Sequence, residues 1–391
     1  MSDGPRFKGY RRSDGRIGTR NHVLVVPTVV CASVVAERIA ASVPDAAVSL
    51  PHLAGCGQLG PDLQVTHDTL AAYCRHPNVG AVVVVALGCE QVVAQHLATT
   101  ARAAGKPAEI VAIQTEGGTL RATARGADIA RGMASDLARV ERDWCDVESL
   151  VLAVKCGGSD YTSGLAANPV LGRVADRIVD FGGSVVLGEI AEIMGAEHLL
   201  AARATSADTS ARLIRVINRV EREAAALGLD IRGTQPSPGN IRGGLTTIEE
   251  KSLGATHKAG ERTPLEDVIG YAAPITRKGL TVMDTPGLDV ESVTGMVAGG
   301  AQVVVFTTGL GTPTGNPVAP VLKITGNGRT AMSMADNIDV DVSSVIAAAE
   351  TMDAAADRLF DALVRTCCGT ATAAERLGHR EFAIHRRNPT I

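Results

Sequence analysis

The sequence predicts an α/β protein with two Rossmann-like domains, each built on a parallel sheet, and with long Gly-rich active-site loops. Short apolar runs alternate along the chain with Ala-rich stretches of helical length, as in successive βαβ units. The chain contains 42 glycines, and glycine is the residue that tight turns and close backbone approaches favour. Its 391 residues are enough for more than one domain.

The first domain is predicted over residues 1–146. Apolar runs that are too short for helices predict its strands, and the Ala-rich stretches between them predict its helices. The predicted strands cover residues 22–30, 47–50, 81–87 and 110–113, and the predicted helices cover 32–43, a stretch from Pro61, a stretch from Gln91, and 119–140.

The second domain is predicted over residues 147–391. Its predicted strands cover residues 150–154, 184–187, 280–283, 302–307 and 321–325, and its predicted helices cover 168–180, 206–227 and 343–367. Residues 232–260 differ from the rest, because Gly, Pro, Ser and Thr dominate there and no apolar period is visible. A long irregular stretch inside a compact chain is usually functional, so these residues are predicted to form an active-site loop.

The net charge and the cysteine content limit the classes of protein to which the chain could belong. Lys and Arg number 38 and Asp and Glu 42, a net charge of −4, which gives no electrostatic case for binding nucleic acid or an anionic membrane. The N-terminus has no apolar targeting segment, and the longest apolar run, Ala81–Leu87, is too short to span a membrane. Eight cysteines without a C-x-x-C motif predict reduced thiols in a cytoplasmic protein. Large α/β enzymes are often symmetric, so a homo-oligomer is expected.

Four cysteines share one local setting. Cys31, Cys56, Cys89 and Cys156 each follow a predicted strand and precede a predicted helix, and three of them adjoin glycine. Ligands of parallel sheets bind beyond the carboxyl ends of the strands, and a helix N-terminus favours the thiolate that binds metal. A single free cysteine is more often a small core residue, but four in this setting favour a metal site. The other four cysteines lack the setting and are interpreted as helix or core residues.

The loop that carries Cys56 also contains His52, a candidate for acid–base chemistry or metal binding. Residues Gly55–Gly60 match G-x-G-x-x-G, but this loop follows the second strand, and no acidic residue ends a strand about 20 residues later. The match is therefore weak evidence for dinucleotide binding. An NAD-dependent oxidoreductase stays open as an alternative.

Several polar loops carry groups suited to carboxylate and hydroxyl recognition. Each of them alone is most simply a capped turn, but next to a thiol-rich sheet edge they indicate a site for a small, polar, acidic substrate. The candidates for substrate binding in these loops are Arg20, Ser159, Asp160, Asn168, Thr246 and Thr247, and those for acid–base chemistry are Glu250 and Lys251.

The order of these motifs resembles the altronate/galactarate dehydratase family along nearly the whole chain. The resemblance rests on the following segments: 7–21, 52–57, Gly88-Cys89-Glu90, 156–160, Asn168-Pro169, 237–240, 243–255, 283–287, 307–309 and Glu381-Phe382.

This resemblance implies an iron-dependent lyase that removes a β-hydroxyl from a sugar acid, such as altronate or galactarate, and gives a 2-keto-3-deoxy acid. Metal assistance fits such a reaction, because a bound metal stabilises the charge that develops on the substrate. Soft thiolate and imidazole ligands suit iron. We therefore hypothesise that Cys56, Cys89 and Cys156, with Cys31 or His52 nearby, hold either mononuclear Fe²⁺ or a [4Fe–4S] cluster. The acid–base candidates are then His52, Glu250 and Lys251.

The family also contains a relative that releases sulfite from sulfolactate, so a sulfolactate sulfo-lyase large subunit is an alternative. Full-length sugar-acid enzymes of the family carry a small N-terminal module of the SAF type, which this sequence lacks before the Phe7 segment. The resemblance therefore implies a separate small SAF-domain subunit as partner. A non-catalytic sugar-acid binding protein is an alternative of another class.

Overall fold

Parallel sheets and surrounding helices make up most of the structure, as the sequence predicts. The computed structural model describes residues 4–391. Its strands are β1 Arg6–Arg11, β2 Ile17–Gly18, β3 His22–Pro27, β4 Ala47–Ser49, β5 Val79–Ala86, β6 Ala108–Ala112, β7 Asp143–Asp146, β8 Val151–Cys156, β9 Ser184–Leu187, β10 Leu265–Ile269, β11 Gly279–Met283, β12 Val303–Thr307, β13 Val321–Thr325 and β14 Val340–Asp341.

The helices lie between these strands. They are α1 Ser33–Ala41, α2 Gly60–Cys74, α3 Ala94–Ala103, α4 Thr119–Leu137, α5 Asn168–Asp180, α6 Ile190–Ile193, α7 Glu197–Ala202, α8 Ala207–Ala226, α9 Ile231–Thr234, α10 Pro238–Arg242, α11 Ile248–Thr256, α12 Asp289–Ala298, α13 Gly328–Ser333, α14 Ser343–Ile346, α15 Met352–Cys367 and α16 Ala373–Arg376. Within residues 4–391, no helix is both long and apolar enough to cross a membrane.

Two parallel sheets form the framework. A four-stranded sheet has the order β4-β3-β5-β6, and a seven-stranded sheet has the order β10-β11-β9-β8-β12-β13-β14. Their central strands are almost continuously apolar because both faces are covered; all eight residues of β5 are buried, for example. The α/β class is confirmed. The two sheets lie on either side of the predicted boundary at residue 146, which stays a prediction.

The two sheets share one core rather than folding as separate bodies. One apolar cluster contains Val82 of β5 together with Val304 and Phe306 of β12. The amide of Asn78, just before β5, donates to the carbonyl oxygens of Gln302 (2.9 Å) and Val318 (3.1 Å). These contacts fix the two sheets relative to each other, and with them the loops at the ends of their strands.

Three local features of the structure differ from what the sequence led us to expect. A third, antiparallel sheet of order β2-β1-β7 was not expected, because β1 contains several charged residues and only Phe7 and Gly9 are buried. The segment 232–260 is not an irregular loop but contains α9, α10 and α11. Ser237 and Thr247 accept backbone hydrogen bonds as N-caps, and these caps start helices that are too short to show an apolar period. The helix predicted over 343–367 is two helices, α14 and α15.

The side chain of Arg20 connects the N-terminal part of the chain to its C-terminal helices. Its guanidinium group donates to both carboxylate oxygens of Glu375, at 2.7 and 2.8 Å, and to the carbonyl oxygens of Thr366 and Thr370. Arg20 is buried, so its charge depends on these partners. These contacts describe a structural role, although the sequence suggested substrate binding.

We predict that Arg20→Met lowers the free energy of unfolding by about 3–5 kcal/mol, since it leaves the Glu375 carboxylate without its buried partner. Denaturant unfolding followed by circular dichroism measures the loss. Glu375→Gln is the matched variant and should cost less, because an uncharged amide still accepts a hydrogen bond from Arg20. Unchanged stability together with a raised KM would instead support the substrate-binding role.

Candidate active site

Two groups of chemically capable side chains lie at the carboxyl ends of the parallel strands. The first is the cysteine edge, which we define as the loops that carry Cys31, Cys56 and Cys89, after β3, β4 and β5. The second is the lysine cluster, which we define as Lys155, Cys156, Glu189, Glu192 and Lys258, at the ends of β8 and β9. Both positions are where the topology of parallel sheets places ligands.

The three loops of the cysteine edge are joined by hydrogen bonds. Val30 N donates to Ala54 O (3.0 Å), and Gln91 N donates to Gly55 O (3.1 Å), so the loop of Cys56 is bound to both of the others. Gly55 has a φ of +101°, and a Cβ there would lie 2.3 Å from Thr28 O, so only glycine allows these loops to approach so closely. The loops of Cys31, Cys56 and Cys89 therefore lie side by side at this edge of the sheet.

The thiols of Cys31, Cys56 and Cys89 are all exposed. The carboxylate of Glu90, next to Cys89, accepts hydrogen bonds from Thr28 Oγ1 (2.7 Å) and Gly88 N (2.6 Å). Burial alone would raise the pKa of Glu90, but these hydrogen bonds hold the pKa below its usual value. Glu90 is therefore a carboxylate that ties the first and third loops of the edge together.

Cys156 lies in the other parallel sheet and has different surroundings. It is buried as the last residue of β8, its Sγ accepts a hydrogen bond from Lys258 Nζ (2.6 Å), and its thiol donates to Glu192 Oε2 (2.8 Å). Burial and the carboxylate of Glu192 raise the pKa of this thiol to about 12. The structure therefore places Cys156 in the lysine cluster, whereas the sequence grouped it with the other three thiols.

Cys156, Glu189 and Glu192 each offer one ligand atom, and these atoms lie within 4.8 Å of one another, so the three residues form a buried group that could hold a metal ion. Lys258 Nζ lies within 3.5 Å of all three atoms, at 2.6 Å from Sγ, 3.4 Å from Glu189 Oε2 and 3.5 Å from Glu192 Oε2. Lys155 adds a second ammonium group, which donates to Glu189 and, at 2.6 Å, to Asp289 Oδ1. The ammonium groups of Lys155 and Lys258 thus neutralise the carboxylates that could otherwise bind the metal ion.

Glu189 is the most constrained residue of the cluster. Its backbone is left-handed, with φ 66° and ψ 67°, a conformation that costs a non-glycine residue free energy and often marks a functional site. Its N–H donates to Thr285 Oγ1 (2.6 Å), which holds the turn. Burial and the nearby Glu192 raise the pKa of Glu189 to about 7. A carboxyl group with such a pKa can both accept and donate a proton at neutral pH.

Lys251 is the predicted acid–base residue that contacts the lysine cluster. Its ammonium group, on α11, donates to Gln235 Oε1 (3.0 Å) and lies 3.4 Å from Glu192 Oε1. Glu250, its neighbour, instead accepts from Thr246 N (2.7 Å), and Thr247 caps the same helix. Glu250, Thr246 and Thr247 therefore build the start of α11.

Asp160 and Asn168, two of the other predicted binding residues, also make hydrogen bonds within the protein. Asp160 accepts hydrogen bonds from Thr162 Oγ1 (2.6 Å) and from Asn327 Nδ2 (2.8 Å), while Asn168 Oδ1 accepts from Thr307 Oγ1 (2.6 Å). Ser159 Oγ is buried and has no hydrogen-bond partner within residues 4–391. Their roles in substrate binding stay predictions.

His52 lies beside the cysteine edge, but backbone groups use both of its ring nitrogens. Nε2 lies 2.9 Å from Pro27 O, and Nδ1 accepts from Ala54 N at 3.1 Å. This arrangement requires a neutral ring with its proton on Nε2. Burial lowers the pKa of His52, although the two hydrogen bonds oppose this effect. Its predicted acid–base role stays a prediction.

We predict that His52 makes the protein more sensitive to acid. The unfolded ring titrates with a pKa of about 6.5, and the folded ring titrates lower, so the unfolded state binds more protons as the pH falls. The contribution of His52 to stability is therefore complete above about pH 6.5 and is lost as the pH falls toward the folded pKa. His52→Gln should show a smaller loss of unfolding free energy between about pH 7 and pH 5 than the wild type.

The control for this measurement is the exposed His257, replaced by Gln. An equal pH dependence in His52→Gln and the wild type would contradict the assignment of His52 as a buried neutral residue. Loss of turnover at unchanged stability would favour the acid–base role instead.

Comparisons with known proteins support the family that the sequence motifs indicate. Residues 9–138 match the family model described as D-galactarate dehydratase/Altronate hydrolase, second domain, and residues 147–390 match that of D-galactarate/Altronate dehydratase, C-terminal. The chain is 39% identical over 387 residues to (2R)-sulfolactate sulfo-lyase subunit beta of Chromohalobacter salexigens, with 98% of each chain covered.

Two relatives from Escherichia coli match almost the whole of this chain but are themselves longer than it. Altronate dehydratase is 33% identical, with 98% of this chain and 78% of the relative covered. Galactarate dehydratase (L-threo-forming) is 31% identical, with 99% of this chain and 78% of the relative covered. The names of all three relatives describe lyases. The chain belongs to the galactarate/altronate dehydratase family.

Proposed function

We propose that the chain is a lyase that dehydrates a sugar acid, such as an aldonate or aldarate, to a 2-keto-3-deoxy acid by β-elimination. The observation that carries this proposal is the match to galactarate and altronate dehydratases along almost the whole chain. The structure supports it with thiols and ionisable groups at the carboxyl ends of two parallel sheets. These groups suit a reaction that removes a proton and expels a leaving group.

The cysteine edge is our proposed iron site, with Cys31, Cys56 and Cys89 as the ligands. The three thiols suit iron chemically, because they are exposed, they lie on three hydrogen-bonded loops, and thiolates are the ligands of iron–sulfur clusters. Their three sulfur atoms do not all lie within 4.8 Å of one another. Three cysteines also leave one iron of a [4Fe–4S] cluster open; mononuclear Fe²⁺ is the rival form. When bound, iron would supply a Lewis acid for the carboxylate and hydroxyl groups of the substrate.

Lys251 is the proposed proton donor among the three acid–base candidates of the sequence. Hydroxide is a poor leaving group, so a donor must protonate the departing oxygen. The ammonium group of Lys251 contacts the side chains of Gln235 and Glu192, whereas backbone groups hold His52 and Glu250.

A second candidate function is the release of sulfite from sulfolactate. The relative named as a sulfo-lyase subunit favours it, because that relative and this chain match over 98% of both lengths, at higher identity than the two dehydratases from Escherichia coli. Both reactions begin with removal of the proton next to the carboxylate. They differ in the group that leaves from the neighbouring carbon.

A separate small SAF-type subunit is the proposed partner. The sulfo-lyase relative is named as a subunit beta, which implies an assembly of more than one kind of chain. Next to the cysteine edge lies a groove of about 500 Å³, lined by Val30, His52, Leu53 and Phe382 among others. Leu53 is 81% exposed, and exposed apolar side chains at a groove are typical of a surface that a partner covers.

We predict that the variant Cys31→Ser/Cys56→Ser/Cys89→Ser loses bound iron and loses turnover at least a hundredfold, on the order expected when a metal no longer stabilises the transition state. Iron and acid-labile sulfide are measured on protein purified without oxygen. Sulfide in proportion to iron identifies a cluster, and iron without sulfide identifies a mononuclear site.

Cys368→Ser is the matched control, because Cys368 is partly exposed and follows helix α15 instead of lying at the end of a strand. Cys156→Ser separates the two possible ligand sets. It should keep its iron if the cysteine edge is the site, and iron loss in this variant would restore Cys156 to the ligand set that the sequence predicted.

We predict turnover of aldonic, aldaric or sulfonated hydroxy acids to 2-keto acids once a small SAF-type subunit is added, and little turnover without it. A 2-keto acid released without sulfite identifies a dehydratase, and equal amounts of both products identify the sulfo-lyase. Reduction of a nicotinamide cofactor would support the oxidoreductase alternative. Stabilisation by these acids without turnover or iron would support a binding protein.

A further inference from the structure

We infer that the buried donor set of Cys156, Glu189 and Glu192 is built around the ammonium group of Lys258, and that it takes a divalent metal ion only when this ammonium group is removed. The inference concerns the lysine cluster alone. It does not depend on the proposed reaction or on iron at the cysteine edge.

The position of Lys258 Nζ is the first argument. A metal ion bound by one sulfur and two carboxylates must lie about 2.0–2.3 Å from all three ligand atoms. Lys258 Nζ already lies between them, at 2.6 Å from Cys156 Sγ and at 3.4 and 3.5 Å from the oxygens of Glu189 and Glu192. The space at the centre of the donor set cannot hold both cations.

The balance of charge is the second argument. Three ammonium groups, of Lys155, Lys251 and Lys258, contact the carboxyl groups of Glu189, Glu192 and Asp289, so the cations are at least as many as the anions. A divalent ion would add two positive charges to a buried group that is already balanced. Repulsion between cations a few ångströms apart is strong where water is excluded.

The packing around Lys258 is the third argument, because it holds the ammonium group in place. Lys258 is fully buried on the short helical turn His257–Ala259 that follows α11. This turn packs so closely against α5 that a Cβ on Gly172 would lie 2.0 Å from His257 O. Lys258 therefore stays among its three partners instead of yielding its place to an ion.

The experiment uses cobalt(II) alone as the probe, in a full-length chain that carries Cys31→Ser/Cys56→Ser/Cys89→Ser, so that the cysteine edge does not bind it. Into this chain, Lys258→Met is introduced, because methionine replaces the lysine stem without a charge. We expect the Lys258→Met protein to bind cobalt(II) with a thiolate-to-metal absorption band that disappears when Cys156→Ser is added. Its thermal stability should rise with cobalt concentration, since the metal binds the folded state.

Lys251→Met is the matched control, because it removes an ammonium group that touches Glu192 but does not lie between the three ligand atoms. We expect no band in this variant or in the chain that keeps every lysine. The inference is overturned by a band that depends on Cys156 in the lysine-containing chain, or by a folded Lys258→Met protein that binds no cobalt. The first of these outcomes can be measured even if Lys258→Met does not fold.

Discussion

Lys258 brings a positive charge into the protein interior, and the end of the seven-stranded sheet is arranged around that charge. An isolated buried ammonium group is costly unless anions and hydrogen bonds replace its water. Here the replacements are the thiol of Cys156 and the carboxylates of Glu189 and Glu192. They come from β8, from the turn after β9 and from α6, so the requirement to neutralise one lysine fixes three elements at once.

The unusual backbone of Glu189 follows from this requirement. In its left-handed conformation, the carboxylate accepts from Lys155, Lys258 and Cys156 N together. The free energy of these contacts offsets the local strain. The same contacts keep Glu189 close to Glu192, and this proximity adds to the effect of burial in raising the pKa of Glu189 to about 7. Lys155 and Lys258 act on this pKa in the opposite direction, so burial and Glu192 outweigh the contacts that hold the turn.

The two sheets show how much a local sequence pattern can predict. Leu87-Gly88-Cys89 and Leu187-Gly188-Glu189 place a reactive residue after a Leu-Gly pair at a strand end, and both residues lie in a group that could carry chemistry. The strands themselves were predictable, because buried parallel strands are apolar throughout. Glu189 carries the same signal with an acid in place of the thiol, but it was not among the predicted site residues.

Other parts of the site depend on contacts that the sequence does not display. Cys156 has the same strand-end setting as Cys89, yet one thiol is buried beside a lysine and the other is exposed. The difference arises from Lys258, which is 102 residues away along the chain and lies in a segment whose short capped helices show no apolar period. Arg20 likewise has a partner, Glu375, that is 355 residues away along the chain.

The chemistry of the leaving group explains how one catalytic body can serve relatives named as dehydratases and as a sulfo-lyase. Sulfite leaves as a stable anion, whereas hydroxide is strongly basic and leaves only when it is protonated. An ammonium group meets either demand, as a proton donor to a departing hydroxyl or as a counter-charge to a sulfonate. Lys251, which is fixed by Gln235 and Glu192, is such a group. With Lys251 as the proposed donor, a change of leaving group therefore needs no change in the framework.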